Sequence, residues 1–256
     1  MNVLLRKDLS ELVRTRRILF PPILFIILGI MGPVFVRLLP VLLKSAQAQM
    51  QLTLPTTTPG DGFLQFLSLV RQLGLLAVIL LSMGLIAGER RDGTLAVLFV
   101  KPVSRMAYVW SRWLVNGTLI GVAFVVGGAV AVLYTLLLLG RPPLATLVTL
   151  TALNVCYVLL IFSWTFFFSA MARGPGVAAG LSLIPFFLLP ALGALWRPLG
   201  EWGPYGAAAA SATALGGMNG PAAPLTASAY ASAGLDLALC AALVMGAYAL
   251  LRKAEL

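Results

Sequence analysis

The chain has 256 residues, 60% of them hydrophobic and 10% charged, with a net charge of +10 and a mean hydropathy of +0.99. A soluble domain carries about a quarter charged residues, so this composition describes an integral membrane protein and excludes a self-standing soluble one. The basic residues fall in short clusters at the ends of apolar runs, a pattern of membrane topology rather than of a nucleic-acid groove, and no nucleic-acid partner is expected.

Histidine is absent, and the two cysteines, Cys156 and Cys240, lie inside apolar runs with no neighbour at metal-ligand spacing. His-ligated haem, zinc and most imidazole acid–base catalysis are thereby removed. Packing as small hydrophobes is the expected role of the two thiols, a disulfide between them staying open. No glycine-rich loop followed by Lys-Ser/Thr occurs, so the chain does not bind ATP as a P-loop protein does. A His-Glu-x-x-His motif and a nucleophile elbow with a His partner are missing too. Of the eight acids, Asp8, Glu11, Glu89, Asp92 and Glu255 lie outside the apolar runs, which leaves too few for a carboxylate relay through a membrane. The chain is expected to be no enzyme by itself and to bind no cofactor or metal.

In chain order, residues 1–17 carry Arg6, Lys7, Arg14, Arg16 and Arg17 beside Asp8 and Glu11. Val3, Leu4, Leu5, Leu9, Leu12 and Val13 recur at roughly helical spacing, which predicts an amphipathic helix in the headgroup layer. This charged preface to a full-length apolar run lacks the form of a cleavable signal. Span one is predicted over 18–39, bent midway by Gly29 and Gly32-Pro33. Residues 40–62, with Lys44 and the stretch Pro55–Gly62, read as a polar loop. Span two is predicted over 63–87. Arg71 falls within it, and residues 63–71 read best as an interfacial extension from which Arg71 snorkels outward. Span three, 113–139, ends at the breaker Gly140-Arg141-Pro142-Pro143. Span four follows over 144–171 and span five over 177–195, the latter broken by Pro185 and Pro190. Residues 196–226 are too interrupted for a span and too apolar for a free loop, which predicts a re-entrant or interfacial hairpin. Span six, 227–251, carries Asp236, either near the outer interface or facing the bundle. The predicted fold class is all-α integral membrane, six transmembrane helices in one domain over 1–256.

The segment 88–112 between spans two and three gathers charge in an otherwise oily interior. Leu95, Leu98 and Phe99 fall at i, i+3 and i+4, Gly93-Thr94 is a helix start signal and Pro102 a stop, so a short amphipathic helix is predicted outside the hydrocarbon. Glu89-Arg90-Arg91-Asp92-Gly93-Thr94-Leu95, then Leu98, then Pro102-Val103-Ser104-Arg105 resembles the loop between the second and third spans of type-2 ABC exporter permeases. The whole-chain layout is similar to that family as well. The resemblance implies an N-terminal elbow helix and a coupling helix over this loop that docks on a separate cytosolic ABC ATPase. It assigns that contact to Glu89, Arg90, Arg91, Asp92, Gly93, Thr94, Leu95, Leu98, Pro102, Ser104 and Arg105. It further implies ATP and Mg on that partner subunit, pairing with a second copy of this permease or a homologous one, and a bacterial-type cytoplasmic membrane.

With the N-terminus inside and six spans, 13 of the 18 basic residues fall on the inner side, which places both termini in the cytoplasm. Asn116, Asn154, Arg71 and Asp236 are the sparse polar points along any substrate path, whose otherwise apolar lining suits an amphiphile better than a small ion. An extracytoplasmic partner is expected if the hairpin serves one. The alternatives are a self-sufficient secondary transporter, which needs polar midplane sites and broken helices, or a membrane anchor subunit.

Overall fold

The computed structural model describes residues 2–50, 58–93, 104–216 and 224–253. Within them the chain forms helices α1 (Asn2–Arg14), α2 (Phe20–Met50), α3 (Pro59–Leu69), α4 (Leu75–Ser82), α5 (Ala87–Arg91), α6 (Arg105–Leu138) and α7 (Leu144–Met171). They continue as α8 (Pro175–Leu195), α9 (Arg197–Trp202), α10 (Gly206–Ala214) and α11 (Ala227–Lys253), and no strand occurs among the described residues. Among the described residues, six segments are long and apolar enough to cross a membrane: Arg17–Pro40, Pro59–Arg91, Arg105–Leu138, Leu144–Met171, Pro175–Leu195 and Ala227–Arg252. Helices satisfy every backbone polar group internally, which is what apolar runs of this length require in lipid.

The helix ends follow local chemistry. Span two starts at Pro59, earlier than the apolar pattern suggests, because the Asp61 carboxylate accepts from the Thr58 amide at 2.7 Å and proline stands at the first turn. Span three starts at Arg105, eight positions before Trp113, with the Ser104 hydroxyl accepting from the Ala107 amide at 3.5 Å. The segment 88–112 is therefore partly helix at each end. The predicted amphipathic helix around Leu95 and Leu98 lies outside the described residues. Helix α7 occupies Leu144–Met171, after Gly140 in the left-handed region (φ 104°) and Pro142-Pro143.

The prolines interrupt less than expected. Helix α2 runs continuously through Pro33 and Pro40 to Met50, and α8 through Pro185 and Pro190. Lipid offers the backbone no competing hydrogen-bond partner, so a helix there loses less by continuing past a proline than by ending at it. Gly29 acts as a packing surface: a Cβ there would stand 2.4 Å from the Gly127 carbonyl oxygen, and one on Gly127 2.5 Å from the Phe25 carbonyl oxygen. Small residues let the backbones of α2 and α6 approach closely, the usual basis of helix association where lipid tails are as apolar as leucine. Phe124 anchors the same seam, edge-on to Phe25 and stacked on Phe66, each with centroids 5.8 Å apart. A second seam joins α7 to α11, and the buried core runs continuously between the two.

Candidate functional site

At one end of the bundle α1, α5 and the start of α6 meet around Arg112. Its side chain is 7% exposed, an extreme position for a cation. Its Nε lies 3.6 Å from Asp8, one terminal nitrogen lies 3.6 Å from Glu11, and the same nitrogen forms an ion pair with Glu89. The Ser111 hydroxyl donates to Asp8 at 2.8 Å and the Tyr108 hydroxyl donates to Glu89. One guanidinium thus ties two acids of α1 to one acid of α5 across the base of α6. Burial pushes the Asp8 carboxyl above the usual carboxylate range, against the pull of Arg112 and the Ser111 hydroxyl. The cluster borders a cavity of about 850 Å³ that also meets Lys7, Arg17, Arg91 and Asp92.

Helix α5 is moored to α7 by a second device. Between α4 and α5 the chain turns at Met83–Ile86, leaving backbone groups unpaired. The Ser169 hydroxyl of α7 donates to the Met83 carbonyl at 2.9 Å and accepts from the amides of Ile86 and Ala87, each at 3.0 Å. All of its hydrogen-bonding capacity is used. Arg90 donates to the Ala172 carbonyl at the end of α7, at 3.3 Å. Gly93, with φ 71°, turns the chain after Asp92 in a conformation that favours glycine. At the other end of the loop Arg105 donates to the carbonyls of Leu251 and, at 3.2 Å, Arg252, at the C-terminus of α11.

The loop residues singled out from sequence divide accordingly. Glu89, Arg90, Ser104 and Arg105 bind other helices or cap their own, and Arg91 and Asp92 pair with each other at the surface at 3.2 Å. Thr94, Leu95, Leu98 and Pro102 lie outside the described residues. Sequence reading missed the centre of the cluster, Arg112, as well as Ser169. Arg112 counted there only toward topology, although a cation at the head of an apolar run is a usable signal.

At the opposite end, two of the four polar path residues, Arg71 and Asn154, reach α10. Arg71 does not snorkel outward: it turns into the protein and donates to the Ala208 carbonyl of α10 at 3.1 Å. The early start at Pro59 puts it well inside the helix, on a π-helical turn over Val70–Gly74. Asn154 donates to the Leu150 carbonyl at 2.8 Å and to Ser211 of α10 at 3.0 Å. Asp236 is fully buried, and neither of its carboxylate oxygens has a hydrogen-bond partner among the described residues. Tyr157 and Tyr205 meet edge-on nearby at 5.7 Å. Asn116 stands apart, bonded to the Arg112 carbonyl at 2.9 Å at the α1 end. Cys156 and Cys240 are free thiols, and no cluster of metal-ligating side chains occurs among the described residues.

Comparison with known proteins agrees with this architecture. The chain is 25% identical over 207 residues to the uncharacterized transmembrane protein YxlG of Bacillus subtilis (strain 168), covering 77% of this chain and 80% of that protein. The family description that matches residues 2–196 is that of the ABC-2 family transporter proteins. A match over that share of the sequence, on six membrane-length helices, makes this chain a member of the ABC-2 transporter family.

Proposed function

We propose that this chain is the membrane-spanning subunit of an ATP-driven exporter, with hydrolysis carried out by a separate cytosolic ATPase that holds the ATP and magnesium. Both termini face the cytoplasm of a bacterial-type cell, following the Lys/Arg bias. Helix α1 lies in the inner headgroup layer, and α9–α10 lie toward the outer side. Two copies, or this chain and a homologous one, pair side by side. Helix α8 is the span least enclosed by its own chain, with 22% of its apolar stretch buried against 33–44% for the other five, which supports a partner on that face.

The observation that carries the reading is the bonding of Glu89. It opens the segment that resembles a coupling loop, and it is tied to Arg112, which also holds Asp8 and Glu11 of α1. Movement imposed on the loop cannot stay local. It reaches α1 and α6 through Arg112, α7 through Ser169 and Arg90, and α11 through Arg105. A push from a nucleotide-driven partner is thereby distributed over the bundle.

The test uses the chain copurified with the ATPase encoded beside it. Glu89→Gln is expected to insert, assemble and keep basal hydrolysis, while cargo-stimulated turnover falls at least tenfold. Unchanged stimulation in an assembled Glu89→Gln complex overturns the reading. Transport by the purified chain alone, driven by an ion gradient, overturns it in favour of a secondary transporter.

A further inference from the structure

The cavity of about 850 Å³ beside the Arg112 cluster has two kinds of wall. One is apolar, formed by Leu80, Leu81 and Leu85 near the end of the second membrane-length segment, and the exposed Leu80 opens it toward the bilayer. The other is charged and carries Lys7, Arg17 and three acids. The hollow therefore crosses the boundary between hydrocarbon and headgroups, and an amphiphile matches both halves. Its volume lies in the range of about 300–1,000 Å³ typical of sites for small organic ligands. The sign of the missing charge follows from the pairs already made. Glu11 and Glu89 are engaged by Arg112, and Asp92 by Arg91. Lys7 and Arg17, both exposed, form no ion pair among the described residues, and Lys7 reaches Asp8 only by longer-range attraction.

Three features of the backbone serve the same hollow. On α1, Lys7 and Glu11 stand one turn apart toward the cavity, Asp8 and Leu12 are buried against the bundle, and Leu9 and Val13 are exposed. These three faces suit a helix in the headgroup layer with lipid chains on one side. Arg16 is the non-glycine residue with a left-handed backbone among the described residues, at φ 55°. That strained turn follows α1 and sets Arg17 at the cavity. Gly84 and Gly88, one turn apart, line the cavity as well. A Cβ on Gly88 would meet nothing within 4 Å, and one on Gly84 only the Pro175 ring at 3.9 Å. Neither has the positive φ that calls for glycine. Packing within the chain thus makes no demand for their small size, unlike that of Gly29 and Gly127, and the room they leave lies on the cavity side. Bare backbone of this kind allows a ligand to approach closely.

We propose that this cavity holds one anionic phospholipid from the leaflet that α1 faces, with its phosphate between Lys7 and Arg17 and its chains running along Leu80 past Gly84 and Gly88. Held there, the lipid ties α1 and the turn before α2 to the end of span two. It is a resident of the fold rather than a cargo, and its binding needs neither transport nor an ATPase partner.

The test titrates the full-length chain, purified in mild detergent, with phosphatidylglycerol or phosphatidylcholine and counts bound lipid by native mass spectrometry. The parent is expected to hold about one phosphatidylglycerol, at least fivefold more tightly than phosphatidylcholine. Lys7→Gln and Arg17→Gln are each expected to weaken it about fivefold, the attraction of one basic residue near an anionic headgroup. Arg6→Gln, at a position on α1 that does not line the cavity, is expected to change it less than twofold. Gly88→Leu fills the cavity and is expected to weaken binding at least fivefold in a chain that stays monodisperse. Equal binding of the two lipids, or an equal loss with Arg6→Gln, reduces the effect to diffuse attraction and overturns the site. Displacement of the lipid by glycerol 3-phosphate makes the ligand a soluble phosphate and overturns the choice of occupant. If Gly88→Leu fails to insert, a photoreactive phosphatidylglycerol decides the matter on the parent. Adducts within residues 80–88 are expected, and adducts confined to other segments overturn the proposal.

Discussion

Replacing Arg112 by glutamine strands the acids it holds, and the cost can be apportioned from their exposure. Asp8 is 4% exposed, so losing the guanidinium paired with it leaves a buried charge without its main counter-charge, which costs about 3–5 kcal/mol. Glu11 is 43% exposed and water takes over its solvation, so its share is about 0–1 kcal/mol. Glu89 keeps the Tyr108 hydroxyl. The total is dominated by one residue, Asp8, and corresponds to a fall in melting temperature on the order of 10 °C for a chain of this size. Heating a fluorescently tagged chain in detergent, followed by gel filtration, reads that fall. The decisive comparison is the double variant. Asp8→Asn in the Arg112→Gln background removes the stranded charge and is expected to restore most of the loss, whereas Glu11→Gln restores little. Equal recovery from the two, or none from Asp8→Asn, refutes the assignment of the cost to a buried, unpaired Asp8.

Ser169→Ala leaves the amides of Ile86 and Ala87 without an acceptor, at about 1–3 kcal/mol for each buried group. Trypsin cleavage after Arg90 and Arg91 is expected to accelerate about tenfold or more as α5 opens, and an unchanged rate contradicts the mooring. Gly127→Ala drives a methyl into the Phe25 backbone and is expected to cost about 1–3 kcal/mol or more, while Gly180→Ala, with nothing within 4 Å, leaves the melting temperature level or slightly raised. For Asp8 the sign of the pH dependence follows from its raised value: the native state holds this proton more tightly than the unfolded state does. Its charged form therefore costs stability at neutral pH, and the cost fades as pH falls through the raised value toward 3.8. Relative to Asp8→Asn, the parent should gain stability across that window, and a loss there contradicts desolvation as the dominant cause.

Much of this architecture is legible in the order of residues because lipid enforces one rule on every apolar run. Span four could be bounded from Pro142-Pro143 and Arg173-Gly174 alone, since breakers flank it on both sides. Span two could not. Thr58-Pro59-Gly60-Asp61 looks like a turn, and only the bond from Thr58 to Asp61 turns it into a helix start. That shift of a few residues is what carries Arg71 inward. The Arg112 cluster was hidden for another reason: its acids stand at positions 8, 11 and 89, and no local period links them. Asp236 shows the same limit. Its place in an apolar run is plain, but its full burial depends on α7 and α10 packing against α11.

The central claim is that the segment beginning at α5 is gripped from the cytosol by a nucleotide-burning partner. Arg91, whose side chain is 65% exposed beside the cavity at that end, is the place to ask. A photoreactive amino acid at position 91, activated in native membranes, is predicted to yield an adduct with a nucleotide-binding subunit. Adducts formed only with proteins of the opposite compartment would contradict it.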